Sequence, residues 1–204
     1  MVIHVEEART QLWLMRVNAE YRLVIHNFAK YAVKEDEGMD FQLQTSRRLY
    51  EEHVATLDLL SRVERVFTGR AGAYPPCGGD AIWPAFARTL LGAIDVEVAR
   101  HFEFEERYLF PRLEEAGDGD LAALLNEEHA TIRAVAQPLA VLLRKTLAGE
   151  AQAAEWQSMK VLALEFSERL GSHAQKEDGA LLPVLENLLD ADTDRELFAQ
   201  YASG

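Results

Sequence analysis

Residues 101–114 read HFEFEERYLFPRLE, and residues 173–186 read HAQKEDGALLPVLE. Aligned from their histidines, the two stretches share the pattern H-x-x-x-E-[ED]-x-x-L-[FL]-P-x-L-E without a gap. A shorter pair repeats upstream of each stretch: residues 49–53 read LYEEH, and residues 125–129 read LNEEH. The chain therefore uses one structural unit twice, and we expect pseudo-twofold symmetry to relate the halves.

Helical periodicity runs through most of the chain, because apolar residues recur at spacings of three and four while strand signals are almost absent. Short connections between long helices favour antiparallel neighbours. The predicted fold is all-α: an up-down-up-down antiparallel four-helix bundle with an additional N-terminal helix. The bundle helices are predicted at 42–67, 85–116, 120–148 and 152–189, and the extra helix at 6–33. The predicted organisation is an N-terminal helical extension at 1–40, the bundle at 41–190, and an acidic C-terminal tail at 191–204 that could form a short helix near Leu197.

Composition narrows the class of protein. The chain has 204 residues, 49% of them hydrophobic, which is enough for one sizeable core. A net charge of −13 argues against a nucleic-acid partner. We find no signal peptide and no membrane-spanning run, so we expect a soluble, cytoplasmic protein without a membrane partner. Cys77 is the only cysteine, which excludes an internal disulfide and all-thiolate metal sites.

The histidines and glutamates of the repeat share a spacing that suits metal binding. Residues four apart lie on one face of a helix, so each H-x-x-x-E stretch can aim both side chains at the core. We expect the bundle to bring six side chains to one level: His53, His101, Glu105, His129, His173 and Glu177. Carboxylates buried among apolar groups are costly unless a cation accompanies them. The pattern therefore predicts a metal centre.

The donor types indicate which metal. Mixed imidazole and carboxylate ligands favour iron, manganese or zinc over calcium or magnesium. We expect two non-haem iron ions, with zinc or manganese as alternatives, and an oxo or hydroxo bridge between them. One ion would bind His53 with His101, the other His129 with His173, while Glu105 and Glu177 bridge both ions roughly 3.5–4 Å apart. Open positions would accept solvent or a small ligand.

From Leu49 to Leu189 the chain resembles the hemerythrin-like, HHE cation-binding domain family. The family's order is a histidine, an H-x-x-x-E stretch, a histidine, and an H-x-x-x-[ED] stretch, and the six residues above fill every position. The resemblance implies a di-iron protein that binds or senses O2, NO, or iron and redox state. The alternative is a di-iron enzyme that acts on peroxide or NO, or that repairs iron–sulfur clusters. Whether the protein is an enzyme stays open.

Arg133 marks a departure from the oxygen-carrying hemerythrins, which have a second histidine at that place on the third bundle helix. The resemblance thus implies sensing or chemistry rather than reversible oxygen carriage, with a diatomic ligand such as O2 or NO as partner. The extension at 1–40 could form the contact of a homodimer. A third hypothesis is that the protein is an interaction module in which the metal only joins the helices.

Several other residues adjoin the predicted site in sequence. Each of four acids lies next to a predicted ligand but about 100° around the helix from it, so we expect solvated side chains or inter-helix pairs: Glu52, Glu106, Glu128 and Asp178. Pro111 and Pro183 each remove a helical hydrogen bond, and either widen the bundle near the site or end its regular part.

His4 and His26 lie outside the repeat, and we expect packing or exposure rather than metal binding for His26. Cys77 falls in a predicted irregular loop, where a thiol could sense redox state, link two chains or be an ordinary loop residue.

Overall fold

A computed structural model describes residues 41–69 and 82–203, and these residues form helices with no strand among them. The predicted all-α class is confirmed for this part of the chain. The predicted N-terminal helix at 6–33, with His4 and His26, and the loop that contains Cys77 lie outside the described residues.

Five helices make up the described part. Helix α1 is Gln44–Thr68, α3 is Gly119–Leu147 and α5 is Ala191–Ser203. Helix α2 is a continuous run of α and π segments: Ile82–Ala93, π-helical Ile94–His101, Phe102–Phe104, π-helical Glu105–Leu109 and Phe110–Ala116. Helix α4 is built in the same way from Ala153–Lys176, π-helical Glu177–Leu181 and Leu182–Leu188. None of the described helices combines the length and the apolar character that crossing a membrane requires.

Glycines end two of the helices where the sequence predicts stops. Gly117 follows α2 with a φ of 98°, and its amide bonds back to the carbonyl of Glu114. Gly149 lies just after α3 with a φ of 74°. Only glycine adopts this left-handed conformation without a steric penalty, so both residues close their helices at low cost.

Neighbouring helices contact each other in opposite chain order. Leu43, before α1, donates its amide hydrogen bond to Glu186 near the end of α4, whereas Ser167, earlier on α4, donates to the carbonyl of Leu60 in the second half of α1. The same reversal holds for α1 with α2, where Phe67 contacts Trp83 and Glu52 contacts Arg100, and for α3 with α4, where Lys145 contacts Glu155 and Glu128 contacts Lys176.

Two apolar clusters fill the core. The aromatic cluster contains Phe67, Trp83 and Trp156, with aliphatic residues from all four long helices. The second cluster contains Leu113, Leu185 and other buried side chains nearer the other ends of these helices, among them Phe104, Phe110 and Tyr201. On α1, α3 and α4 the histidine of the repeat lies between the residues of the two clusters in sequence, whereas on α2 Phe102 of the aromatic cluster follows His101 directly. We call the level of these histidines the polar layer.

Each proline of the repeat lies two residues after the end of a π-helical segment. Pro111 and Pro183 each occupy the first turn of a new α segment, and the preceding π segments begin at Glu105 and Glu177. Proline cannot donate to the carbonyl four residues earlier, and a wider π turn relieves this defect. The prolines therefore do not end the helices, which continue to Ala116 and Leu188.

The C-terminal acidic segment is helical and contacts the bundle. Helix α5 is longer than the short helix expected near Leu197, and it buries Asp194, Leu197 and Tyr201. Asp194 accepts hydrogen bonds at 2.9 Å from the amides of Gln44 and Thr45, and so caps α1 from outside that helix. The segment is acidic in sequence, but one of its acids is part of the packing.

Candidate metal centre

The six side chains predicted to meet do lie together in the polar layer. All are at most 2% exposed: His53, His101, Glu105, His129, His173 and Glu177. They form two groups, each with potential ligand atoms within 4.8 Å of one another. One group is His53, His101, Glu105 and Glu177, which we call position 1. The other is His129, His173, Glu105 and Glu177, which we call position 2.

Paired imidazoles define each position. The Nε2 atoms of His53 and His101 are 3.2 Å apart, and those of His129 and His173 are 2.9 Å apart. Two nitrogens that bind one metal at about 2.1 Å and at right angles to each other, as in octahedral coordination, would be about 3 Å apart. The spacing in both pairs therefore suits ligands that share one ion.

The two glutamates connect the positions. Glu105 places Oε1 3.1 Å from Nε2 of His101, and Oε2 3.4 Å from Nε2 of His129. Glu177 does the same with its oxygens, at 3.2 Å from Nε2 of His53 and 3.1 Å from Nε2 of His173. Each carboxylate thus turns one oxygen toward each position, which is the arrangement of a bridging ligand.

The chemistry of this donor set fits a pair of cations. None of the four carboxylate oxygens of Glu105 and Glu177 makes a hydrogen bond, although both side chains are buried. Within the described residues, no lysine or arginine forms an ion pair with either carboxylate. Buried carboxylates that lack such partners are costly, and bound metal ions would compensate both charges.

In the absence of a metal, protonated imidazoles compensate part of the negative charge of the two glutamates. Burial opposes a charge on His53, but the hydrogen bond that its Nδ1 donates to Asp178 and the negative charge of Glu177, 3.2 Å from its Nε2, raise its pKa to about 9. Burial would likewise raise the pKa of Glu177, yet the imidazoles of His173 and His53 hold it well below its ordinary value. Metal binding must therefore displace protons from the imidazoles.

A second ring of carboxylates holds the outer edge of each imidazole. The four Nδ1 contacts are His53 with Asp178 at 2.6 Å, His129 with Glu106 at 2.8 Å, His173 with Glu128 at 3.1 Å and His101 with Glu52 at 3.2 Å. A carboxylate on Nδ1 fixes the tautomer and leaves Nε2 free to bind a metal. Of the two expectations for these acids, inter-helix contacts are confirmed, but their partners are the predicted ligands.

The repeat contained a signal for this second ring. Each acid adjoins a predicted ligand at the same place in both copies of the repeat, and the 100° rotation that points it away from its own neighbour points it at the next helix. Cations then hold some of these acids from outside: Arg133 contacts Glu106 at 2.6 Å, and Lys176 contacts Glu128 at 2.7 Å.

Two aromatic contacts were not predicted. Phe102 stacks on His129, with ring centroids 3.6 Å apart and planes 6° from parallel. Tyr201, on α5, hydrogen-bonds through its hydroxyl to Glu52 and lies 3.2 Å from Nδ1 of His101. The spacing of Leu197 and Tyr201 indicates a helical face, but nothing in the sequence pairs that face with the repeat.

A helical protein with four buried imidazoles and two shared carboxylates falls in the class of histidine–carboxylate cation-binding proteins. The model of the Hemerythrin HHE cation binding domain family matches residues 44–185, more than half of the chain, so this chain belongs to that family. The resemblance seen in the sequence is thereby confirmed. A search of curated proteins found no match.

Proposed function

We propose that this protein binds two non-haem iron ions in the polar layer and uses them to bind or sense a diatomic ligand such as O2 or NO. The proposed ligands are His53 and His101 at position 1, His129 and His173 at position 2, and Glu105 and Glu177 at both. The observation that carries the proposal is that each of the two glutamates divides its oxygens between the imidazole pairs.

The opposite chain order of the helix contacts supports an up-down-up-down antiparallel bundle as the scaffold. In such a bundle each long helix contributes one imidazole from its middle part, and two helices add a glutamate one turn away. The π turns that begin at Glu105 and Glu177 support this role, since such widened turns are frequent at functional sites. The additional N-terminal helix stays a prediction.

Nitrogen and oxygen donors without sulfur suit iron, manganese or zinc, and iron is preferred because the chain belongs to the Hemerythrin HHE family. Two imidazoles and two carboxylate oxygens supply four donors to each position, so a metal that takes six ligands keeps positions for a small molecule. When bound there, iron would supply the affinity for O2 or NO. The protein would orient the imidazoles through the outer carboxylates and exclude bulk water through the two apolar clusters.

The absorption spectrum tests this function. The iron-loaded full-length protein should show bridge-type bands that disappear on reduction and return in air, and the reduced form should change its spectrum on exposure to NO. A reduced protein whose spectrum responds to neither gas would contradict ligand binding. Repeated consumption of peroxide or NO under the same conditions would replace the sensor with the enzyme alternative.

A further inference from the structure

The two copies of the repeat differ at the carboxylates that precede their first histidines. Glu128 contacts His173 through Oε2 and Lys176 through Oε1. Glu52, its counterpart, contacts His101 through Oε2, but its Oε1 is also held by two arginines, Arg48 at 2.8 Å and Arg100 at 3.1 Å. Oε2 of Glu52 has a second partner as well, the hydroxyl of Tyr201.

Tyr201 comes from outside the repeat. The residue is 4% exposed, and its ring packs against Phe104 at a centroid distance of 4.5 Å, with the guanidinium of Arg100 4.6 Å from the ring centroid. The described residues show no corresponding phenol beside Glu128. Helix α5 therefore reaches position 1 through a contact that position 2 lacks.

The contact of Tyr201 with Glu52 should lower the metal affinity of His101. A carboxylate that accepts the Nδ1 proton of an imidazole makes Nε2 a stronger metal ligand. The hydroxyl of Tyr201 donates a hydrogen bond to Oε2 of Glu52, the same oxygen that accepts from Nδ1 of His101. This second donor makes the oxygen a weaker acceptor for the Nδ1 proton. The His101–Glu52 distance of 3.2 Å is close to the 3.1 Å of its counterpart, His173 with Glu128, so the competition rests on the shared Oε2 atom of Glu52 and not on a longer contact.

We propose that Tyr201 is a positioning residue that competes with His101 for Glu52 and thereby weakens metal binding at position 1 alone. Helix α5 then gives the two positions different metal affinities, although the repeat alone would make these affinities similar. This inference rests on the proposed function, because it requires that both positions bind metal.

Cobalt binding to the metal-free, full-length protein tests the inference without any assay of activity. Co²⁺ titrations followed by visible absorption would be made in two backgrounds, His173→Ala to isolate position 1 and His101→Ala to isolate position 2. In the first background Tyr201→Phe should raise the affinity about 3- to 10-fold, below the 10- to 100-fold range of losing an outer partner outright. In the second background it should change nothing.

Tyr108→Phe is the matched control. Its hydroxyl also connects α2 and α5, by accepting a hydrogen bond at 2.7 Å from Gln200, but it has no contact with the centre among the described residues. It should leave both affinities unchanged. Because Tyr201 is proposed to act through Glu52, its substitution should also have no effect once Glu52→Gln is present.

The inference is overturned if Tyr201→Phe lowers the affinity of position 1, leaves it unchanged, shifts both positions equally, or acts equally in the Glu52→Gln background. If wild-type protein binds two cobalt ions and any of these results is found, only the inference fails. If wild-type protein binds no metal, the proposed function fails and the inference fails with it.

Discussion

Burial has opposite effects on stability in the aromatic cluster and in the polar layer. In the cluster, Phe67, Trp83 and Trp156 lie edge-on or tilted against one another at centroid distances of 5.0–6.0 Å, and every apolar group removed from water favours folding. In the polar layer, Glu105 and Glu177 are just as buried but leave their oxygens without hydrogen bonds. The cluster stabilises the bundle, whereas the layer costs stability unless it binds cations.

The largest expected effect is a loss of stability from a substitution in the aromatic cluster that leaves the polar layer unchanged. Phe67→Ala should lower the free energy of unfolding by about 3–5 kcal/mol, because the ring is fully buried between two tryptophans and leaves a cavity. Denaturant unfolding of the metal-free protein measures the loss. The folded variant should still bind two metal ions, and a loss of metal at full folding would show that cluster and layer are not separate.

A smaller effect separates the two positions within the layer. Glu106→Gln should weaken metal binding at position 2 about 10- to 100-fold, because His129 loses the carboxylate 2.8 Å from its Nδ1, and should leave position 1 unchanged. Stepwise metal titration measures both. Glu103→Gln, an exposed glutamate on the same helix, is the control and should change neither position. Equal weakening of both positions would contradict separate outer partners.

The smallest effect tests whether α5 holds the scaffold. Asp194→Ala should lower the free energy of unfolding by about 0.5–2 kcal/mol, because the amides of Gln44 and Thr45 lose their acceptor. Thermal unfolding measures it, and Asp192→Ala, whose side chain is 85% exposed, should be neutral. Metal stoichiometry should stay at two. Equal stability of the two variants would mean that the cap contributes nothing.

The six central residues could be predicted because their signal is local and repeated. A histidine and a glutamate four residues apart share a helical face, and a second copy of the same pattern makes coincidence an unsatisfactory explanation. Helix ends were predicted to within a few residues where glycine marks them, as at Gly117 and Gly149. The π turns were not predicted, since Pro111 and Pro183 were the only hint of a disturbed helix.

The outer contacts were harder because they depend on tertiary structure. Glu106 touches a histidine 23 residues away on the next helix, and reading one helix at a time places it in solvent. Tyr201 is further removed, with partners 100 and 149 residues earlier in the chain and no counterpart in the repeat. Only the packing of α5 brings it to Glu52.

The metal content of three full-length proteins tests the central claim most directly. Wild-type protein and the variants His101→Ala and His173→Ala would be reconstituted with iron under identical conditions, and bound metal per folded chain measured. Two ions in wild type and one in each variant would support two positions joined by Glu105 and Glu177. Two ions in all three proteins, or one ion in wild type, would contradict the assignment.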